Sequence, residues 1–171
     1  MRKFNLAVVI MVLSTIAITP KAEARSLWTD QPRTLSTMTA QVPDSTNKDD
    51  AVMYLQRGFD RLKEQKYQEA IADFNQVIKL EPNNTFAYMG KGLGNFSLEN
   101  YQVAKENFDQ ALEISPNFAH GYYFRGFTRF MLEDKSGAIA DLRQASTLFT
   151  QEGELELAQR ADSAIKKIQQ G

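Results

Sequence analysis

The chain has 171 residues, 43% of them hydrophobic, which is enough for one packed domain with extensions. Acidic and basic residues are mixed to a net charge of −1, so the basic stripe of a nucleic-acid binder is absent. There is no cysteine and a single histidine, His120, which excludes disulfides, thiolate nucleophiles and multi-histidine metal sites; no cofactor is expected.

Residues 1–24 read as a secretory signal peptide. Arg2 and Lys3 precede an uncharged apolar run, Leu6 to Ile18. Pro20 ends the run, and Ala22 to Ala24 supply the small residues of a cleavage site. Thirteen residues of helix rise only about 20 Å, short of a bilayer core of about 30 Å, so cleavage is expected rather than an anchor. Removing Arg2, Lys3, Lys21 and Glu23 leaves 17 basic and 20 acidic residues, net −3. No membrane insertion is expected after cleavage. The compartment is then the periplasm or the exterior, or the thylakoid lumen of a photosynthetic bacterium.

Residues 25–50 are rich in Ser, Thr, Asp, Asn and Pro and show no helical or strand period. They read as a flexible linker. The linker holds the sole tryptophan, Trp28.

From Ala51 the sequence repeats at an offset of 34 without gaps, as 51–84, 85–118 and 119–152. Tyr54, Tyr88 and Tyr122 coincide, as do Gly58, Gly92 and Gly126, and Ala70, Ala104 and Ala138. Phe74 and Phe108 match Leu142, Val77 matches Ala111 and Ala145, and Pro82 and Pro116 match Thr150. Each copy holds two apolar helical patterns with a short polar break, in the second copy roughly Phe86–Leu98 and Tyr101–Ile114. Such a period predicts stacked helix pairs. The small residues predict helix crossings, and the prolines helix ends. Residues 153–171 follow, with a helix expected over 154–169. Its apolar stripe is Leu155, Ala158, Ala161, Ile165 and Ile168, and its polar outer face suits the cap that a stack needs. The expectation is all-α: seven helices, three pairs plus a cap.

These residues closely resemble the tetratricopeptide repeat family. The pattern is an aromatic at repeat position 4, Gly at 8, Ala at 20, an aromatic at 24, Ala at 27 and Pro at 32. The second copy meets all of it. The first departs at Val77, the third at Leu142 and Thr150. The style of "IADFNQVIKLEPNN" and the short cap resemble bacterial members. The resemblance implies a helical solenoid whose first-helix positions 2, 5, 9 and 12 face a concave groove that holds a peptide or helix. Those positions are Val52, Leu55, Phe59 and Leu62, then Phe86, Met89, Leu93 and Phe96, then His120, Tyr123, Phe127 and Phe130. None is charged. The clamp by which chaperone-binding members hold an acidic C-terminus would fall on Leu55, Phe59, Gly90, His120 and Phe124, and none of these matches it.

Open, such a stripe exceeds the apolar patch a monomer normally exposes. Each large side chain buried in it would contribute roughly 1.5–3 kcal/mol before association costs. The expected function is therefore an exported, non-catalytic scaffold that binds an apolar segment of a protein partner. Phe59, Met89, Leu93, Tyr123 and Phe127 are expected to supply the affinity. Self-association through the same groove, as an assembly subunit, is the alternative, and residues 25–50 could also fill the groove in cis.

The arginines have a different expectation. Arg57 and Arg61 accompany Asp73, and Arg125 and Arg129 accompany Asp141, whereas the second copy has Lys91, Asn95 and Asn107. Loss of the aspartate with loss of the arginine pair predicts an ion pair within the repeat. No phosphate loop, nucleophile elbow or zinc spacing is present, so no enzyme is expected.

Overall fold

The computed structural model describes residues 45–170. The leader 1–24, linker residues 25–44 and Trp28 lie outside them. Among the described residues there are seven helices and no strand: α1 Ser45–Lys63, α2 Tyr67–Leu80, α3 Thr85–Ser97, α4 Tyr101–Ile114, α5 Ala119–Met131, α6 Lys135–Gln151 and α7 Leu155–Gln170. From α2 onward each helix packs on the next in the chain, and α3 also touches α5. The result is a helical solenoid of three hairpins and a cap, as the 34-residue period requires.

One boundary moves. Helix α1 begins at Ser45, so residues 45–50 of the segment read as linker are helical. Asn47–Asp50 are exposed, and a turn that is polar on every side carries no amphipathic period to reveal it.

The glycines at repeat position 8 sit at helix crossings. A Cβ on Gly58 would meet the Phe74 ring at 2.8 Å, and one on Gly126 would meet Leu142 Cγ at 2.9 Å. Phe74, Phe108 and Leu142, at position 24, are fully buried, as are the alanines at position 20. A Cβ on Gly90 would also strike the Phe74 ring of the preceding repeat. Close approach between repeats thus uses a second glycine.

Each hairpin turn closes with a left-handed residue at repeat position 15. Gln65, Glu99 and Glu133 have φ of 62°, 62° and 65°. In all three, the left-handed residue donates its N–H three residues back, and the next residue donates five back: Lys66 to Arg61 O at 2.8 Å, Asn100 to Asn95 O at 2.9 Å, Asp134 to Arg129 O at 2.9 Å. That pair of bonds satisfies the last carbonyls of the first helix. The α6–α7 turn repeats the pattern with Gly153 at φ 81°. At the starts, Asn84 Oδ1 accepts from Ala87 N at 3.0 Å and Asp134 Oδ1 from Gly137 N at 2.8 Å.

Helix α7 buries Leu157, Ala158, Ala161, Ile165 and Ile168. Leu155, expected in the apolar stripe, is instead 59% exposed, and Leu157 takes its place. Leu155 is the first helical residue, where the backbone has just left the Gly153 turn.

Candidate functional site

The twelve positions expected to line a groove divide into covered and uncovered sets. Phe59, Leu62, Met89, Leu93 and Tyr123 are buried. Phe59 meets the Phe74 ring edge-on at 5.1 Å between centroids. Tyr123 sits among Phe124, Phe127 and Phe149, at 5.5, 4.9 and 6.0 Å. This corrects the expectation that Phe59, Met89, Leu93 and Tyr123 present contact surface: their area is already out of water. Burial also raises the Tyr123 phenol above its ordinary pKa, with Arg160 opposing weakly.

The remaining positions keep accessible surface. Val52 is 60% and Phe86 41% exposed, both at repeat position 2 and so on equivalent faces of α1 and α3. Leu55, Phe96, His120, Phe127 and Phe130 are half-buried. Phe86 meets Phe118 edge-on at 5.7 Å, Phe118 tilts over His120 at 5.8 Å, and His120 meets Phe149 at 5.0 Å. A continuous aromatic row therefore runs from α3 to α6. Beside its Phe86 end an open cleft of about 510 Å³ is lined by Glu81, Pro82, Asn83, Asn84, Thr85, Phe86, Ser115 and Phe118. Desolvation among the rings lowers the His120 pKa, against a smaller opposing pull from Glu154.

The two arginine–aspartate sets are bound up in the scaffold. Arg57 grips Asp73 through Nε at 3.0 Å and Nη2 at 2.6 Å, and Arg61 Nη1 donates to the same carboxylate at 2.6 Å. Arg125 grips Asp141 through Nε at 2.8 Å and Nη2 at 2.7 Å, with Arg129 Nη1 3.1 Å away. Asp73 and Asp141 are buried. Each pair ties the two helices of one hairpin, as the covariation between copies predicted. Arg57 and Arg125 also lie over Tyr54 and Tyr122, at 5.0 and 5.3 Å from the ring centroids. In the second copy Asn95 and Asn107 donate instead to carbonyls of their own helices, Lys91 O and Val103 O.

Sequence comparison between copies missed one contact. Arg125 Nη1 also donates to Asp109 Oδ1 at 2.8 Å, across the boundary between repeats 2 and 3. Burial disfavours the Arg125 charge, yet the hydrogen bonds and attraction from Asp141 and Asp109 outweigh it and hold the guanidinium above its ordinary pKa. The signal was available: Asp109 stands 16 residues before Arg125, the same interval that separates Arg125 from Asp141.

Among the described residues no group of three or more His, Asp or Glu could hold a metal ion, and no helix is long and apolar enough to cross a membrane. The fold defines a helical-repeat protein, with an aromatic row running from α3 to α6. Residues 51–84 and 87–118 each match a family model described as tetratricopeptide repeat. The solved structures similar to this chain include the first tetratricopeptide repeat domain of Spaghetti (RPAP3) bound to the HSP90 peptide SRMEEVD, at 24% identity and TM-score 0.64, covering 71% of this chain and 92% of that one. The TPR2B domain of yeast Sti1 in its pHsp70 complex is 19% identical at TM-score 0.68, covering 71% and 98%. PcrH in complex with the chaperone binding region of PopD is 20% identical at TM-score 0.68, covering 71% and 92%. No curated protein matches the sequence. Two of the three 34-residue copies thus match tetratricopeptide repeat models, and the solved structures share the fold.

Proposed function

We propose that this protein is an exported, non-catalytic scaffold that seats an apolar helix or extended segment of a partner protein on the concave face of its solenoid. The observation that carries the reading is the uncharged groove set, in which Val52 and Phe86 remain open to solvent on adjacent repeats. Similar folds are described in complex with peptides or with a binding region of another protein, which supports a peptide as ligand. The acidic peptide SRMEEVD belongs to a neighbour. Here Leu55, Phe59, Gly90, His120 and Phe124 stand where that kind of clamp would need cations and amides, so an apolar segment is the better fit. The contact residues are Val52, Leu55, Phe86, His120, Phe127 and Phe130, with the buried four acting as their support. Burying a large side chain on this set contributes roughly 1.5–3 kcal/mol before the costs of association.

Export rests on the leader pattern of residues 1–24, and mass spectrometry of the secreted protein should give Arg25 as its first residue. The binding reading is tested by placing a photo-crosslinking phenylalanine analogue at Phe86, with the same analogue at exposed Gln110 as control. A partner peptide crosslinked at 86 and not at 110, and lost in a Val52→Lys chain, supports the scaffold. Equal labelling at both positions refutes it. Crosslinks to this chain alone would make it a self-assembling subunit instead.

A further inference from the structure

The aromatic row offers a partner apolar surface, so the ionised groups at its two ends decide which segments it accepts. At the Phe86 end, Glu81 is the one ionisable residue that lines the cleft, and it is half-buried. One of its carboxylate oxygens accepts from Asn84 Nδ2 at 2.6 Å, and no lysine or arginine among the described residues pairs with it. Other polar groups of the cleft are already committed. Asn84 Oδ1 caps α3, and the Thr85 and Ser115 hydroxyls share a hydrogen bond of 2.7 Å. At the far end of the row, Glu154 N donates to Phe149 O at 2.8 Å, and the Glu154 charge acts on His120. Glu152 stands close enough to Glu154 for the two carboxylates to repel. Neither has a cation partner among the described residues, and Arg160 of α7 is held by Glu156 at 2.6 Å.

We propose that the segment seated on this face is basic: a lysine or arginine of the partner enters the cleft between Glu81 and the Phe86 ring, apolar residues follow the row, and a second cation meets Glu152 and Glu154. This rests on the scaffold reading above and adds the partner's charge.

The cleft favours a cation over the other occupants. Glu81 is held in place by Asn84 and keeps an oxygen for a donor, so little freedom is lost on pairing. Phe86 is 41% exposed, and a cation within about 6 Å of a ring centroid is drawn to the ring face. A wholly apolar segment laid over the cleft would strip water from Glu81 with nothing in return. An acidic segment would meet like charge at both ends of the row. The spacing of the cations follows from the rings. Steps of 5.7, 5.8 and 5.0 Å put Phe149 within about 17 Å of Phe86, which about five residues of extended chain span. In an extended partner segment the two cations therefore stand about six residues apart.

The test uses a phage-displayed library of random dodecapeptides, selected on the chain expressed from Met1 and purified as the host leaves it. The expected result is enrichment of lysine and arginine flanking leucine and aromatic residues, with aspartate and glutamate depleted. A synthetic copy of a selected peptide should bind about tenfold more weakly to Glu81→Gln, which keeps an acceptor for Asn84, and severalfold more weakly to Glu152→Gln with Glu154→Gln. Replacing the peptide's first cation by norleucine should abolish the difference between Glu81 and Gln. Asp162→Asn, at an exposed position of α7, should bind as the unmodified chain does. Selected peptides that lack cations, or undiminished binding to Glu81→Gln, overturn the proposal. Equal weakening by Glu81→Gln and Asp162→Asn would mark diffuse attraction and overturn it too. In each case Phe86→Ala separates the two readings. Peptides lost in Phe86→Ala would leave the scaffold standing without the charge rule, and the absence of any peptide that depends on Phe86 would sink both.

Discussion

Arg125 offers the sharpest test of how the scaffold is held. Its guanidinium makes two hydrogen bonds to Asp141, whose side chain is 5% exposed, and a third to Asp109. Arg125→Met keeps much of the stem and removes all three. Breaking a buried ion pair costs about 3–5 kcal/mol, and because Arg129 still stands 3.1 Å from Asp141 the lower end applies. Against a total stability of about 5–15 kcal/mol that loss is large. The cost of one substitution does not isolate the pair, so the test is a double-mutant cycle. With charge-assisted bonds contributing about 1.5–3 kcal/mol, Arg125→Met and Asp141→Asn should couple by about 2 kcal/mol. Arg129→Ala with Asp141→Ala, joined by one longer contact, should couple by about 0.5–1 kcal/mol. Urea unfolding followed by circular dichroism gives each value, provided the denaturant slope stays constant across the set. Additivity within about 0.5 kcal/mol at Arg125 and Asp141 would refute the hairpin tie.

Three further outcomes are expected. Gly92→Ala forces a Cβ to within 2.5 Å of the buried Phe108 ring, so it should destabilise by about 1–3 kcal/mol in the same urea assay. Glu133→Gly relieves a left-handed residue that costs about 1–2 kcal/mol, offset by about 0.4–1 kcal/mol of extra freedom in the unfolded chain, so the variant should be neutral or up to about 1.6 kcal/mol more stable; clear destabilisation would contradict the turn geometry. His120 has a folded pKa below its unfolded value of about 6.5. The unfolded chain therefore binds the proton first, and stability should fall as pH drops from about 6.5 through the folded pKa. His120→Phe should flatten that slope in thermal unfolding across pH.

Much of this was legible in the sequence because repetition turns single residues into comparisons. Gly58, Gly92 and Gly126 at one offset marked the helix crossings before any contact was visible. The joint loss of arginines and aspartate in the second copy marked the hairpin ties. The left-handed turns were not legible: Gln65, Glu99 and Glu133 are ordinary residues there, and only Gly153 announces the conformation. Nor could a first-helix position tell a groove side chain from a packed one. Val52 and Tyr123 both belong to the groove set by register, yet the rings of Phe124, Phe127 and Phe149 surround the second, and Phe149 comes from the next helix, 26 residues along the chain. The start of α1 was missed because its first turns have no apolar side to show.

The bridge from Arg125 to Asp109 has no twin in the array. One repeat earlier the equivalent residues are Lys91 and Asn75, which cannot form an ion pair. Repeats 2 and 3 are therefore riveted together, while repeat 1 is held by apolar packing at its junction. Opening should begin at the N-terminal end, with the amide protons of α1 and α2 exchanging ahead of those in α4 to α6. A ligand that lies across Val52 and Phe86 would clasp the looser end to the firmer one. Its binding would then be felt as much in slowed hydrogen exchange as in any change of shape.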